Sequence, residues 1–197
     1  MSGPVVSTAS PAEALACDRL LAGGKVLAKK IPPITGANGC GIDAPLQLSG
    51  VVLPDGAHVT LAPAATIRCD FAERVADWVR DDLAPLFAHR KSKLVGIANA
   101  DSYDCRGRNR VAGAKLSEHG TGNAIDVRAL EFADGTKADI TRVAAEMTVF
   151  AQLKLTACTR FSTVLGPGSD GYHEDNLHLD AAYRRSGAHF CRWRLPS

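Results

Sequence analysis

The chain has 197 residues, of which 46% are hydrophobic and 22% charged, and its formal net charge is +2. This composition is typical of an ordinary globular protein, long enough for one domain with a single hydrophobic core. The small net charge gives no electrostatic argument for a nucleic-acid partner, and no apolar run reaches membrane-spanning length.

The first predicted element is a helix. Residues 1–9 are expected to form a flexible segment, ahead of a single domain that spans residues 10–197. Residues 10–13, Ser-Pro-Ala-Glu, form a capping box with proline at the first helical position. Gly23 and Gly24 follow the apolar positions of this helix and predict its end.

Extended segments and a second helix come next. The apolar runs 51–53 and 59–61 flank the turn sequence Pro-Asp-Gly at 54–56, a pattern that predicts a β-hairpin. Asp70, with Glu73 three residues later, predicts the capped start of the second helix. An apolar stripe at helical spacing follows, and Pro85 kinks or shortens this helix. Such a stripe favours core packing over a ligand groove.

The C-terminal half combines strands with one helix. Strands are predicted at 94–98, 123–132 and 160–165, and a helix at 139–155. The glycine-rich segment 166–171 is either a simple connection or a loop that gates a nearby site. Together the elements predict an α+β fold with a central antiparallel sheet and helices packed on one face.

Six widely spaced cysteines indicate disulfides: Cys17, Cys40, Cys69, Cys105, Cys158 and Cys191. An even count without a C-x-x-C motif argues against a zinc ribbon. Short-range closure predicts the pairs 17–40, 69–105 and 158–191, and buried thiols in a cytosolic protein are the alternative. Disulfides imply an exported, periplasmic or cell-wall-associated protein, here in a mature form because the first residues lack a signal peptide.

Two polar clusters offer the ligands of a metal site. His119 lies on a glycine-rich turn, and Asp126 lies on the strand predicted after it. In the second cluster, polar residues alternate with leucines over 176–180, so a strand would place His178 and its polar neighbours on one face. Two histidines and one aspartate leave a fourth coordination position open, as catalytic zinc sites do.

A further carboxylate, Asp175, precedes the second cluster at the entrance of its strand. An acid at that position can act as the base in metal-assisted hydrolysis without being a ligand. Each of these residues alone is better explained as an ordinary surface group. The two clusters together supply a complete ligand set, which favours one zinc site at the strand entrances of a disulfide-stapled fold.

Several longer motifs carry a family resemblance: residues 39–42, 102–106, 116–119 with 122–126, 161–168 and 173–180. They resemble the bacterial extensin-like carboxy-terminal domain family, which is similar to zinc metallopeptidases of the D-Ala-D-Ala carboxypeptidase, lysostaphin and hedgehog type. The resemblance implies that His119, Asp126 and His178 bind one zinc ion and that Asp175 is the general base. It also implies a carboxypeptidase or endopeptidase that acts on the stem peptides or cross-links of bacterial peptidoglycan.

Asn176 departs from the family pattern, in which many relatives have a histidine. The resemblance implies that this histidine orients the site or stabilises the developing oxyanion, whereas asparagine donates a hydrogen bond but carries no positive charge. His173 is either a compensating group or an ordinary loop histidine. Because of Asn176, a non-catalytic cell-wall or protein-binding module that retains the metal site is the alternative function.

Four more residues are candidates for supporting roles. Arg106 is the better candidate of two arginines to bind a substrate carboxylate or polarise the scissile carbonyl. Arg108 is the other, and a solvated basic loop is the alternative for both. Ser117 either contacts substrate or holds its turn. Asp180 either accepts a hydrogen bond from a ligand histidine or forms a cross-strand ion pair.

Overall fold

The computed structural model describes residues 10–111, 113–143 and 147–194. The flexible segment expected at 1–9 and the end of the expected domain at 195–197 lie outside the described residues. Within them, the helices are α1 (Pro11–Ala22), α2 (Cys69–Asp77), α3 (Ala84–Leu86), α4 (Ile140–Val143) and α5 (Met147–Arg160). No helix in this part of the chain is long and apolar enough to cross a membrane.

The strands are β1 (Val26–Lys30), β2 (Ile34–Thr35), β3 (Gly41–Ile42), β4 (Pro45–Val52), β5 (His58–Arg68), β6 (Leu94–Asp101), β7 (Ala124–Phe132), β8 (Lys137–Asp139), β9 (Thr163–Leu165), β10 (Leu177–Asp180) and β11 (Phe190–Arg192). Most of them join one large sheet, whose order is β1-β4-β5-β6-β7-β10-β9-β11, with β8 paired to β7 and with β2 and β3 as a separate pair.

The sheet is mixed, rather than purely antiparallel as expected. Strand β5 pairs with β6 in parallel, and β9 pairs with β11 in parallel. Parallel neighbours require a crossover connection. Helices α2 and α3 provide it between β5 and β6, because they lie between these strands in the chain. The other neighbouring pairs of the sheet are antiparallel, including β7 with β10.

The predicted cap and hairpin are both present. Ser10 Oγ accepts a hydrogen bond from the Glu13 backbone N–H at 3.3 Å, and the Glu13 carboxylate accepts from the Ser10 backbone N–H at 3.0 Å. Helix α1 ends at Ala22, directly before Gly23. Strands β4 and β5 form the expected antiparallel hairpin. Local sequence signals are therefore sufficient at these two places.

The second helix starts and ends differently from the expectation. Helix α2 begins at Cys69 without a side-chain cap, so Asp70 is in its first turn and does not cap it. The helix widens into a π-helical segment at Trp78–Leu83 and ends with α3, which contains Pro85. Proline lacks the N–H that would continue the α-helical hydrogen bonds, which accounts for an irregular segment just before it.

The hydrophobic core lies between the sheet and the helices. Helix α2 contacts α1, β4 and β5, and α5 contacts α3 and β9. Phe161 packs edge-on against Trp78 and Phe71, with ring centroids 5.6 Å and 6.0 Å away. The predicted helix 139–155 corresponds to α4 and α5, and its residues 144–146 lie outside the described part. Because α5 continues to Arg160, the following strand starts at Thr163, later than expected.

Three disulfides are present, as expected, and two of the three predicted pairings are wrong. The bonds are Cys17–Cys69, Cys40–Cys105 and Cys158–Cys191, with no free cysteine among the described residues. Only the third pair was predicted correctly. The packing of α1 on α2 decides the first bond, and closeness along the sequence does not.

Candidate metal centre

His119 is held on a tight, buried turn. The turn is a 3₁₀ segment, Glu118–Thr121, in which Ser117 Oγ accepts a hydrogen bond from the His119 backbone N–H at 3.4 Å. Gly122 ends it with a φ of +63°, and a Cβ there would lie 2.3 Å from Ile42 Cδ1. Glycine is therefore required both for the backbone angle and for the space. The imidazole that this turn presents is 1% exposed.

Asp126 and His178 face each other across two neighbouring strands. His178 on β10 is in register with Asp126 on β7. Leu177 and Leu179 belong to the hydrophobic core, so the pleat directs His178 to the opposite face, as the sequence alternation predicts. Both strands are internal to the sheet, and their backbone hydrogen bonds fix the distance between these two side chains.

Three donor atoms from these residues converge. His178 Nδ1 lies 2.9 Å from Asp126 Oδ1 and 3.1 Å from His119 Nε2, and His119 Nε2 lies 3.3 Å from Asp126 Oδ1. Ligands about 2.0–2.1 Å from a zinc ion at tetrahedral angles would be about 3.3 Å apart. Two imidazole nitrogens that close need a proton or a cation between them. The donor set and its spacing fit a divalent metal ion.

The outer nitrogen of each imidazole has its own acceptor. His119 Nδ1 lies 2.5 Å from the carbonyl oxygen of Ser102, and His178 Nε2 lies 3.1 Å from Asp180 Oδ2. If these outer nitrogens donate, the nitrogens that face Asp126 carry free lone pairs, as metal ligands must. Of the two interpretations of Asp180, the structure therefore supports the hydrogen bond with His178, a candidate ligand.

The charges within this group are strongly coupled. Burial raises the pKa of Asp126, but hydrogen bonds from His119 and His178 outweigh it and hold this pKa well below its usual range. Burial lowers the pKa of His178, but hydrogen bonds with Asp126 and Asp180 outweigh it and raise this pKa to about 9. A metal ion at the same place competes with the proton, because a ligating imidazole must be neutral.

A cavity of about 170 Å³ opens beside this group. Its walls come from the turn that holds His119, from β9 and β10, and from three loops. The lining residues are Arg106, Arg108, Asn109, Ser117, Glu118, His119, Thr163, Leu165, Asp170, His173, His178, Asp180 and Arg184. The fold thus brings together most of the residues that the sequence selected, including Arg106, Arg108, Ser117 and His173.

Arg106 lines the cavity but is already paired with protein carboxylates. Its Nε donates to Asp104 Oδ2 at 2.9 Å, and its Nη2 donates to Asp101 Oδ2 at 3.3 Å. The side chain is 15% exposed. Arg108, in contrast, is exposed. Arg106 therefore forms a rigid wall of the cavity with its charge compensated.

Asp175 and Asn176 are not among the residues that line the cavity. The Asp175 side chain is 64% exposed, and its Oδ2 lies 3.4 Å from Nη2 of Arg128. Asn176 donates from Nδ2 to Asp175 Oδ1 at 3.0 Å. The Oδ1 of Asn176 is buried without a hydrogen-bond partner among the described residues. In this structure Asp175 is thus a solvent-exposed partner of Arg128 and Asn176.

Sequence reasoning missed Asp170, which supports His173. His173 Nδ1 lies 2.8 Å from Asp170 Oδ1, and the His173 ring centroid lies 5.3 Å from that of His178. Burial raises the pKa of Asp170, but hydrogen bonds with His173, the Tyr172 backbone N–H and Ser169 together outweigh it and lower this pKa. The available signal was spacing, because Asp170 precedes His173 by three residues, just as Asp175 precedes His178.

Sequence reasoning also missed Arg184 and Thr163. Arg184 reaches the cavity from the loop between β10 and β11, and Thr163 reaches it from β9. No spacing rule connects either residue to the ligand motifs, because the two strands and the loop meet only through tertiary structure. Arg184 and Thr163 are identified only from the residues that line the cavity in the folded structure.

Comparison with known proteins places the chain in a family. Searches of curated proteins and of solved structures gave no significant match. The family model described as extensin-like protein C-terminus matches residues 15–192. This match includes the turn of His119, the strand of Asp126 and the strand of His178. Because it spans most of the sequence, the chain belongs to the extensin-like protein C-terminus family.

Proposed function

We propose that this protein is a zinc-dependent hydrolase of peptide bonds in bacterial peptidoglycan. The observation that carries the proposal is the convergence of His119 Nε2, Asp126 Oδ1 and His178 Nδ1 at 2.9–3.3 Å beside a cavity. Three protein ligands of this kind are typical of catalytic zinc, whereas structural zinc sites use four. The substrate class rests on the resemblance of the motifs to zinc metallopeptidases.

The surrounding residues have roles that follow from their contacts. A zinc ion held by the three ligands would supply Lewis-acid chemistry and a nucleophile at neutral pH. Asp180 and the Ser102 carbonyl hold the two imidazoles in the orientation that ligation needs. Arg106, fixed by its two carboxylates, shapes the wall against which a substrate would lie.

Two groups are proposed for proton transfer. Asp175 is proposed because it lies three residues before His178 in the motif. It would have to turn away from Arg128, and an exposed ion pair of that kind contributes only about 0–1 kcal/mol. His173 already lines the cavity and is oriented by Asp170. Apo geometry often differs from that of the reacting complex, so both groups are tested.

The proposal is tested by incubating the zinc-loaded protein with purified peptidoglycan and identifying released fragments by mass spectrometry. Fragments should appear with the native protein and disappear after chelation or in a His119→Ala variant. His58→Ala is a matched control, because His58 is exposed on β5, away from the ligand group. Fragment masses would name the bond and separate a carboxypeptidase from an endopeptidase.

A non-catalytic cell-wall or protein-binding module is the second candidate. Asn176 in place of a histidine favours it, as does the pairing of Asp175 with Arg128 outside the cavity. In that case the zinc-loaded protein would sediment with peptidoglycan and release no fragments, even from soluble stem peptides. For either candidate, three disulfides support an exported, periplasmic or cell-wall location.

A further inference from the structure

We propose that Arg184 forms a subsite for a carboxylate group of the substrate. The inference rests on the proposed function, because it names a substrate group that the same cavity would recognise. Arg184 lines the cavity together with His119 and His178. Its contacts hold the guanidinium in a fixed position, and none of the contacting groups carries a negative charge.

Three contacts fix the guanidinium of Arg184. Its Nη1 donates to the carbonyl oxygen of Ser162 at 3.0 Å, and its Nη2 donates to Thr163 Oγ1 at 2.6 Å. The guanidinium carbon lies 4.6 Å from the centroid of the Phe190 ring. These partners come from the start of β9 and from β11. A guanidinium has five N–H donors, so further donors are available to a ligand.

The partners of Arg184 carry no formal charge, in contrast to those of Arg106. Arg106 donates to the carboxylates of Asp101 and Asp104. Within the described part of the chain, no carboxylate forms an ion pair with Arg184, whose partners are a carbonyl, a hydroxyl and an aromatic ring. A preorganised guanidinium of this kind matches a carboxylate in shape and charge.

The ligand class follows from the proposed substrate. Peptide stems offer a carboxylate either at the C-terminus or on an acidic side chain, and Arg184 would recognise the same chemical group in both cases. Arg106 was the arginine expected from sequence to bind a substrate carboxylate. Since its charge is compensated by Asp101 and Asp104, the geometry transfers that role to Arg184.

The test uses four soluble stem peptides that share one sequence. Two end in a free carboxylate and two in a carboxamide. Within each of these pairs, one peptide has glutamate and the other has glutamine at the internal acidic position. Zinc-loaded wild type, Arg184→Gln, Arg184→Lys and Arg185→Gln are titrated by calorimetry at 4 °C, with peptide integrity checked by mass spectrometry. Arg185 is the matched control, because it is exposed and outside the cavity lining.

Loss of the recognised carboxylate should weaken wild-type binding about 10- to 100-fold. Arg184→Gln should bind acid and amide equally, Arg184→Lys should retain part of the preference, and Arg185→Gln should match wild type. The peptide pair that shows the loss identifies the terminal or the side-chain carboxylate. An unchanged preference in Arg184→Gln, or no preference in wild type, would overturn the subsite.

A second measurement separates recognition from support of the metal ligands. Thr163 also helps to lower the pKa of Asp180, the partner of His178, so the alternative role of Arg184 is to hold Thr163 and, through it, the metal ligands. A subsite leaves the zinc dissociation constant of Arg184→Gln unchanged, and a marked loss of zinc overturns the proposal. Carboxylate-dependent binding without cleavage would reject the hydrolase and keep the subsite. Cleavage that does not depend on Arg184 would reject the subsite and keep the hydrolase.

Discussion

The His119, Asp126 and His178 group, which could hold a metal ion, and the entrance of β10 differ in how firmly the fold holds their side chains. His178 is buried, in register with Asp126, and hydrogen-bonded through both ring nitrogens. Asp175, three residues earlier, is 64% exposed, and its partners among the described residues are Arg128 and Asn176. Ligands must be preorganised to bind a metal tightly, whereas a proton-transfer group can move into place with substrate. One motif thus contains a rigid part and an adjustable part.

Removal of a ligand should have the largest effect. We expect His119→Ala to lower zinc affinity more than about 100-fold, because even residues that merely orient ligands are worth 10- to 100-fold. Metal-dependent cleavage should be lost with it. Competition dialysis against a chelator measures the affinity, and thermal unfolding checks the fold. Zinc binding at wild-type strength would show that the rigid group is not the metal site.

Asp175→Asn tests the adjustable part directly. Removal of a general base lowers rates about 10²- to 10⁴-fold, and zinc affinity should stay unchanged because the described partners of Asp175 are Arg128 and Asn176. Steady-state kinetics on a cleaved stem peptide gives kcat and KM. An Asp175→Asn enzyme with wild-type kcat, beside a His173→Gln enzyme with the large loss, would assign proton transfer to His173.

Asp180→Ala probes the support of the rigid part. Asp180 accepts from His178 Nε2 and from the Ala182 backbone N–H, the latter at 3.0 Å. Its removal should weaken zinc binding about 10- to 100-fold by freeing the imidazole. Zinc titration with a competing indicator measures this effect. An unchanged affinity would mean that strand register alone orients His178.

Ser10→Ala should have the smallest effect, and it lies outside the comparison as a control. Loss of this cap should cost about 1 kcal/mol of unfolding free energy and leave zinc affinity unchanged.

Hydrogen bonds from Ser10 lower the pKa of Glu13 in the folded protein. The contribution of Glu13 is thus full above its unfolded pKa and is lost as pH falls through the folded pKa. Urea titrations of wild type and Glu13→Gln should therefore converge in acid.

Sequence patterns were most informative where one periodicity or one local interaction decides the structure. The cap at Ser10, the hairpin of β4 and β5, and the face of His178 on β10 all follow from such patterns. The parallel pairs and the disulfides Cys17–Cys69 and Cys40–Cys105 depend instead on how distant elements pack. For the same reason Arg184, which reaches the cavity from a loop, had no signal in the sequence.

The orientation of Asp175 was also beyond sequence reasoning. Its position before β10 was predicted. The partner of an exposed side chain beside Arg128, however, depends on small differences in free energy between alternative contacts. Asp170 shows the converse case, since a loop carboxylate is ordered by a hydrogen bond to His173. Asp170 precedes His173 by three residues, and Asp175 precedes His178 by three residues. The two aspartates therefore differ in their surroundings and not in their spacing.

The Cys40–Cys105 disulfide joins the segment of Arg106 to a loop that packs against the turn of His119. Cys105 directly precedes Arg106, and Cys40 Sγ lies so close to Gly120, next to His119, that an added Cβ would be 3.2 Å away. The bond thus holds the Arg106 segment beside a loop that supports this turn. Disulfides persist only where the surroundings are oxidising. Complete assembly of the site therefore depends on oxidation of this cysteine pair, and protein prepared in a reducing cytosol would need oxidative refolding before any assay.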